Sequence, residues 1–230
     1  MPNLAPLKDS PSLDKLAYEK IKEAILNFQF LPNQALVEGD LASQLGISKT
    51  PVRDALMRLE KEGLVTRIAY KGTYVSDVNN QDMANIFDIR IVLEGLAIRL
   101  ATEAICEDDL NHMDILIHKH ETALKNHDVS SASAINNEFH NLIVDHCSNP
   151  LLQQMLHNLD DHLKRYRLLS VSQGMRYDKS IPEHRAIYDA LKERDPDKAE
   201  QAMQQHLQSA KYDLYDQDFE ELQHNLSINA

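Results

Sequence analysis

Between Glu38 and Val75 the chain runs through a short helical pattern, a tight turn, a second helical pattern and two β-branched runs, an order that few folds accommodate. The first pattern, Glu38 to Leu45, stops at Gly46, a residue that takes the left-handed, helix-ending conformation without a Cβ clash. Ile47 is suited to plug the angle between two helices, and Ser48 to cap the next one. That next helix runs from Lys49 to Glu62 and ends at Gly63. Beyond it, Leu64-Val65-Thr66-Arg67-Ile68 and Thr73-Tyr74-Val75 flank a turn around Tyr70-Lys71-Gly72, which reads as a small hairpin. An earlier helix, Leu13 to Phe28, carries Leu16, Ala17, Ile21, Ala24, Ile25 and Phe28 on one stripe.

Helix, helix, turn, helix and two-stranded wing together make the winged helix-turn-helix layout. The helix opening Ser48-Lys49-Thr50-Pro51-Val52-Arg53 begins with small, hydroxylated and basic residues, which suits an N-terminus entering the major groove. Ser48 and Thr50 can bond phosphates, and Lys49 and Arg53 can donate to guanine edges. Arg67 and Lys71 of the wing can reach flanking phosphate or the minor groove, and Lys71 reads equally as a solvated turn residue. A small helical domain that binds protein through its hairpin is the bland reading. The joint presence of turn, basic helix and wing argues for DNA. Charge agrees: residues 1–78 hold ten basic and ten acidic groups, whereas the remainder carries the whole net charge of -12. DNA contact is therefore confined to the first third, and the acidic remainder is repelled by phosphate.

After the polar junction Asp77-Val78-Asn79-Asn80 the chain reads as six helices, at about 81–104, 107–127, 131–147, 150–170, 179–193 and 196–224, with a loop at Gly174. Asn149-Pro150 and Asp195-Pro196 each pair a cap residue with proline at the first helical position. The expected fold is mainly α: a winged helix-turn-helix domain over 1–78 and an antiparallel helical bundle over 79–230. No apolar run is long enough to span a membrane, and no signal peptide opens the chain. Cys106 and Cys147 are too few for a disulfide framework, so a cytoplasmic protein is expected.

The helical part also contains a histidine constellation. Asn136 and His140 lie four apart and share a helix face, while His184 and His206 sit among apolar neighbours in the last two helices. Inward histidines on three elements of a bundle are how such folds build metal sites, here suited to Zn²⁺ or Ni²⁺. Eleven histidines occur, however, and most must be bystanders; His112, His118, His120, His127, His157 and His224 read as surface residues.

The run Leu41-Ala42-Ser43-Gln44-Leu45-Gly46-Ile47-Ser48-Lys49-Thr50-Pro51-Val52-Arg53-Asp54-Ala55-Leu56, with Leu59-Glu60, Gly63-Leu64-Val65 and Gly72-Thr73-Tyr74-Val75, resembles the GntR family of bacterial regulators. By position the resemblance implicates Ser48, Lys49, Thr50, Arg53 and Gly72 in DNA binding. Two residues depart from the pattern: Lys49 stands where arginine is more usual, and Gly39 where some relatives place a DNA-contacting arginine. Residues 81–224 resemble the FCD domain of the FadR-like branch, in its six-helix VanR-like subgroup, partly through Arg90-x-x-x-Glu94. That resemblance implies a metal held by Asn136, His140, His184 and His206, with Asn136 where aspartate is common. It also implies a small organic-acid effector.

An incoming carboxylate would pair with an arginine. Arg90 is the first candidate, because it precedes a stripe of Val92, Leu93 and Leu96 read as inward; Arg165 and Arg167 follow. The plainer reading of Arg90 is a helix-surface salt bridge to Glu94. The whole implies a non-enzymatic, homodimeric repressor on a palindromic operator. The rival is a metal-dependent hydrolase, but Glu138 lies about 200° around its helix from Asn136 and is no general base for the site. A thiol switch through Cys106 and Cys147 has hardly more support, since neither has a basic sequence neighbour that would clearly lower its pKa.

Overall fold

The computed structural model describes residues 12–170 and 177–215. The loop expected at Gly174, His224 and the last helix beyond residue 215 lie outside the described residues, as does the side chain of Arg167. The chain divides into two compact units, Met1–Asp77 and Val78–Ala230.

The first unit holds α1 (Leu13–Leu26), α2 (Glu38–Leu45), α3 (Lys49–Lys61), β1 (Val65–Ile68) and β2 (Gly72–Val75). Gly46 ends α2 at φ 67°, in the left-handed region. Ile47 then packs on the core, and its N–H donates to the Ala42 carbonyl at 3.0 Å. Ser48 occupies the N-cap of α3 in extended backbone but makes no capping hydrogen bond through its side chain, so the expected cap is positional only. β1 and β2 pair antiparallel from Val65↔Val75 to Ile68↔Gly72. The core gathers Ile21, Ile25, Val52, Leu56, Leu59, Leu64 and Val75. On α1 the buried face is Ala17, Tyr18, Ile21, Ile25 and Leu26, whereas Leu16 is 43% exposed. Tyr18 takes the place beside Ala17 because its hydroxyl reaches the Glu62 carboxylate, at 2.8 Å to Oε2.

The second unit holds α4 (Asn80–Ala104), α5 (Glu107–Lys125), α6 (Val129–Asp145), α7 (Pro150–Ser170), α8 (Tyr177–Lys192) and α9 (Pro196–Tyr215). Asn79 caps α4 by accepting from the Asp82 N–H at 2.8 Å, and Asp128 caps α6 through Ser131. α4 packs most extensively along α9 and also against α6 and α7, while α5 packs on α6 and α8. At Gly95 the α4 backbone comes so close to α9 that an added Cβ would stand 2.9 Å from Gln204 Nε2.

The inward face of α4 is Met83, Phe87, Arg90, Glu94, Ala97, Ile98 and Ala101. The stripe expected to face inward is not that face: Val92 is 64% and Leu96 41% exposed. α4 is apolar on two sides, and α9 covers only one of them.

Candidate metal centre and DNA-reading helix

α3 presents two faces. Val52, Ala55, Leu56 and Leu59 are buried, whereas Ser48, Lys49, Thr50 and Arg53 are exposed at its N-terminal end. Arg53 is already engaged: its Nε donates to both Glu38 oxygens at 3.1 Å and its Nη2 to Oε2 at 2.7 Å. That hydrogen bonding, with the guanidinium charge, holds the Glu38 carboxyl below its usual range. Glu38 at the start of α2 thus fixes the fork of Arg53 across the turn, and nothing in the sequence beyond its acidity signals that pairing. The two departures from the family pattern touch each other, for a Cβ at Gly39 would meet Lys49 Cε at 3.5 Å and Nζ at 3.6 Å. Lys49 lies over the space that glycine leaves. Lys71 and Gly72 are exposed in the wing turn, where Tyr70 and Gly72 both have positive φ, 63° and 124°. Arg67 Nε stands 3.8 Å from Glu60 Oε2.

In the second unit His140 of α6, His184 of α8 and His206 of α9 are all buried and converge, each offering a ring nitrogen within 4.8 Å of the others. His140 Nε2 and His206 Nε2 stand 3.2 Å apart, close to the ~3.3 Å separating two nitrogens that each lie roughly 2.0–2.1 Å from a tetrahedral ion. Their other nitrogens are held by carboxylates: His140 Nδ1 by Glu94 Oε2 at 2.7 Å, and His206 Nδ1 by Glu183 Oε2 at 2.8 Å. This is the outer support that metal-binding imidazoles characteristically have, since it fixes the tautomer and leaves Nε2 for the ion. The donor set fits a nitrogen-preferring divalent ion. Phe139 stacks on His184 with ring centroids 4.5 Å apart and walls one side.

Glu94 Oε1 accepts from Arg90 Nε, so the pair anticipated on a helix surface is in fact buried. Burial pushes the Glu94 carboxyl up, but Arg90 and His140 outweigh it and hold it at about 2. Arg165 is buried on α7, and Asn136 is partly buried one turn before His140. Glu183 was not foreseen; its adjacency to His184 in sequence says nothing of its reach to His206.

His120 departs from the surface position expected of it. It is buried, not on the surface, and its ring lies 5.3 Å from that of His184. Burial, then the charge of His140, pushes it down to about 4. The signal was present in α5, whose buried positions Leu110, Met113, Leu116, Ile117, His120 and Ala123 follow one helical stripe. His112, His118, His127 and His157 are exposed as expected. Glu138 is exposed and bonded to His112 at 2.9 Å. Cys106 is exposed and Cys147 buried.

Sequence profiles match both units: residues 13–75 match "Bacterial regulatory proteins, gntR family" and residues 85–209 match the FCD domain. The chain is 29% identical over 191 residues to the HTH-type transcriptional regulator YdhC of Bacillus subtilis (strain 168), covering 83% of this chain and 85% of the relative. It is 31% identical over 207 residues to the HTH-type transcriptional repressor GlaR of Escherichia coli (strain K12), covering 85% and 92%. Among solved structures, E. coli McbR/YncC shares the fold with a TM-score of 0.74 at 24% identity, over 90% of this chain and 98% of that one. Among the described residues no helix is long and apolar enough to cross a membrane.

Proposed function

The chain belongs to the gntR family of bacterial regulatory proteins, and from that premise we propose that it is a cytoplasmic, homodimeric repressor whose grip on a palindromic operator is set by a small carboxylate bound beside a divalent metal ion. That it is a DNA-binding transcriptional regulator with an FCD domain follows from the family; the remainder is our reading. Repression is supported by the name of the E. coli relative GlaR. Ser48, Lys49, Thr50 and Arg53 would meet the major groove, and Lys71 and Gly72 the flanking backbone.

The observation that carries the sensing role is the convergence of three buried imidazoles, two of them oriented by carboxylates. His140, His184 and His206 would hold the ion, with Asn136 offering an amide oxygen. Zn²⁺ or Ni²⁺ there would supply a Lewis-acidic position for a carboxylate oxygen. Of the arginines expected to receive the effector, Arg165 is buried and Arg90 already holds Glu94. A hydrolase is not favoured, because Glu138 is turned to His112.

Homodimerisation is supported by the uncovered side of α4. Ile89, Val92, Leu96 and Leu100 are exposed at helical spacing, and Leu151 and Met155 are exposed on α7, which packs on α4. An apolar solvent-facing stripe of this kind marks an association surface.

A gel-shift assay on the protein's own promoter tests the DNA reading. We expect Arg53→Ala to weaken the shift at least tenfold with the fold intact, and binding to fall steeply with salt. An unchanged shift overturns the assignment of α3. Elemental analysis after incubation with Zn²⁺ or Ni²⁺ tests the centre. One ion per chain is expected, lost in His140→Ala, His184→Ala and His206→Ala, and negligible metal in the wild type overturns it.

A further inference from the structure

We propose that His120 is the hydrogen-bonding contact for the carboxylate that completes the coordination of the metal centre, a role that rests on the metal reading above. Four helices, not three, bring a buried imidazole to this place: α5 adds His120 to the histidines of α6, α8 and α9. Its ring packs against that of His184. Its Nδ1 is sealed from solvent and has no hydrogen-bond partner among the described residues. A buried polar atom without a partner works against folding, and a phenyl ring would fill the same volume without that penalty. Such an atom is left open to bond a group that enters the site.

His120 stands outside the set of three whose nitrogens lie within 4.8 Å of one another, so it is too far out to be one more ligand of the same ion. It is well placed for the next layer. A nitrogen hydrogen-bonded to a metal-bound oxygen sits roughly 4–5 Å from the ion. Its chemistry also suits the task. An uncharged imidazole adds no repulsion to an arriving cation, and its N–H donates to a carboxylate oxygen. The other two outer groups cannot do this, because Glu94 and Glu183 are anionic acceptors already spent on His140 and His206. Among these neighbours, His120 is the one that can welcome an anion.

The test uses full-length protein loaded with Co²⁺, whose visible bands report coordination, and acetate as the anion. Wild type and His120→Phe should bind Co²⁺ with affinities within fivefold of each other, since the three ligands are untouched. Acetate affinity of the Co²⁺ form should fall at least fivefold in His120→Phe and recover in part in His120→Asn. Metal-free His120→Phe should melt at or above the wild type, the reverse of what a merely structural histidine gives. Should His120→Phe fail to fold, the comparison of His120→Asn with His120→Ala stands in its place, with the same acetate threshold. Acetate affinity that changes less than fivefold, or a Co²⁺-loaded wild type indifferent to acetate, overturns the proposal and leaves the metal centre standing. A Co²⁺ affinity that falls more than fivefold overturns it too, by making His120 a ligand. A wild type that takes up no Co²⁺ removes the centre itself, and the proposal with it.

Discussion

Two buried side chains of the second unit titrate well away from their ordinary ranges, His120 at about 4 and Glu94 at about 2. For both, the unfolded chain takes up a proton that the folded one refuses, so each makes the fold less stable on acidification than at neutral pH. For His120 the loss spans the interval from its ordinary 6.5 down to about 4, and for Glu94 from 4.5 down to about 2. Between pH 7 and pH 5 the share of His120 is on the order of 2 kcal/mol. Urea denaturation of the metal-free protein should therefore show a marked fall in stability over that interval, and His120→Phe should flatten it. An identical slope in the two proteins contradicts the burial of this imidazole. At this scale the sequence was legible where a residue's neighbours along the helix set its environment, as for His140, His184 and His206 among apolar residues. It was illegible where the partner comes from another helix. Glu183 reaches His206 and Glu38 reaches Arg53 through packing that no local pattern encodes. His120 has polar sequence neighbours that point to the surface, although its own helical stripe is apolar.

Element boundaries followed local chemistry closely, because caps and breakers act within a turn. Gly46 in its left-handed conformation and Pro150 and Pro196 at helix starts stand where the residue type alone would put them, whereas Asp128 caps α6 and starts it at Val129, two residues before the expected 131. The faces were harder. α4 is apolar around much of its circumference, so periodicity does not say which side α9 covers, and the stripe of Val92 and Leu96 that it points inward is exposed. What decides the matter is Gly95, whose missing side chain lets α9 approach. Alanine there should be nearly neutral, since ~1 kcal/mol of helix propensity offsets the displacement of the flexible end of Gln204. Gly95→Leu should instead destabilise by about 1–3 kcal/mol through overpacking and weaken metal uptake, because His206 rides on α9 opposite Glu94. Thermal melting and metal content measured together check this; an unaltered melting temperature would show that the helices have room to spare.

On the scale of the whole molecule, an electrically neutral reading domain is joined to a strongly acidic helical one, and the exposed apolar stripe of α4 is the surface through which we propose that the second pairs. Val92→Glu with Leu96→Glu should leave the helical circular dichroism unchanged. It should convert the dimer to a monomer in light scattering and lower operator affinity by at least a hundredfold, since a single half-site then binds alone. A dimer that survives both charges must be held elsewhere. α4 has a further consequence. It is an unbroken rod of 25 residues, about 37 Å long. On its inner side it carries the carboxylate that steadies His140, on its outer side the exposed apolar stripe, and it begins at Asn80, three residues past the end of the first unit. A stiff rod turned at one point turns along its whole length, so a roll prompted by what sits beside Glu94 swings the outer stripe and the first residues of the helix through the same angle. The inner carboxylate and the outer stripe then share a single mechanical coordinate.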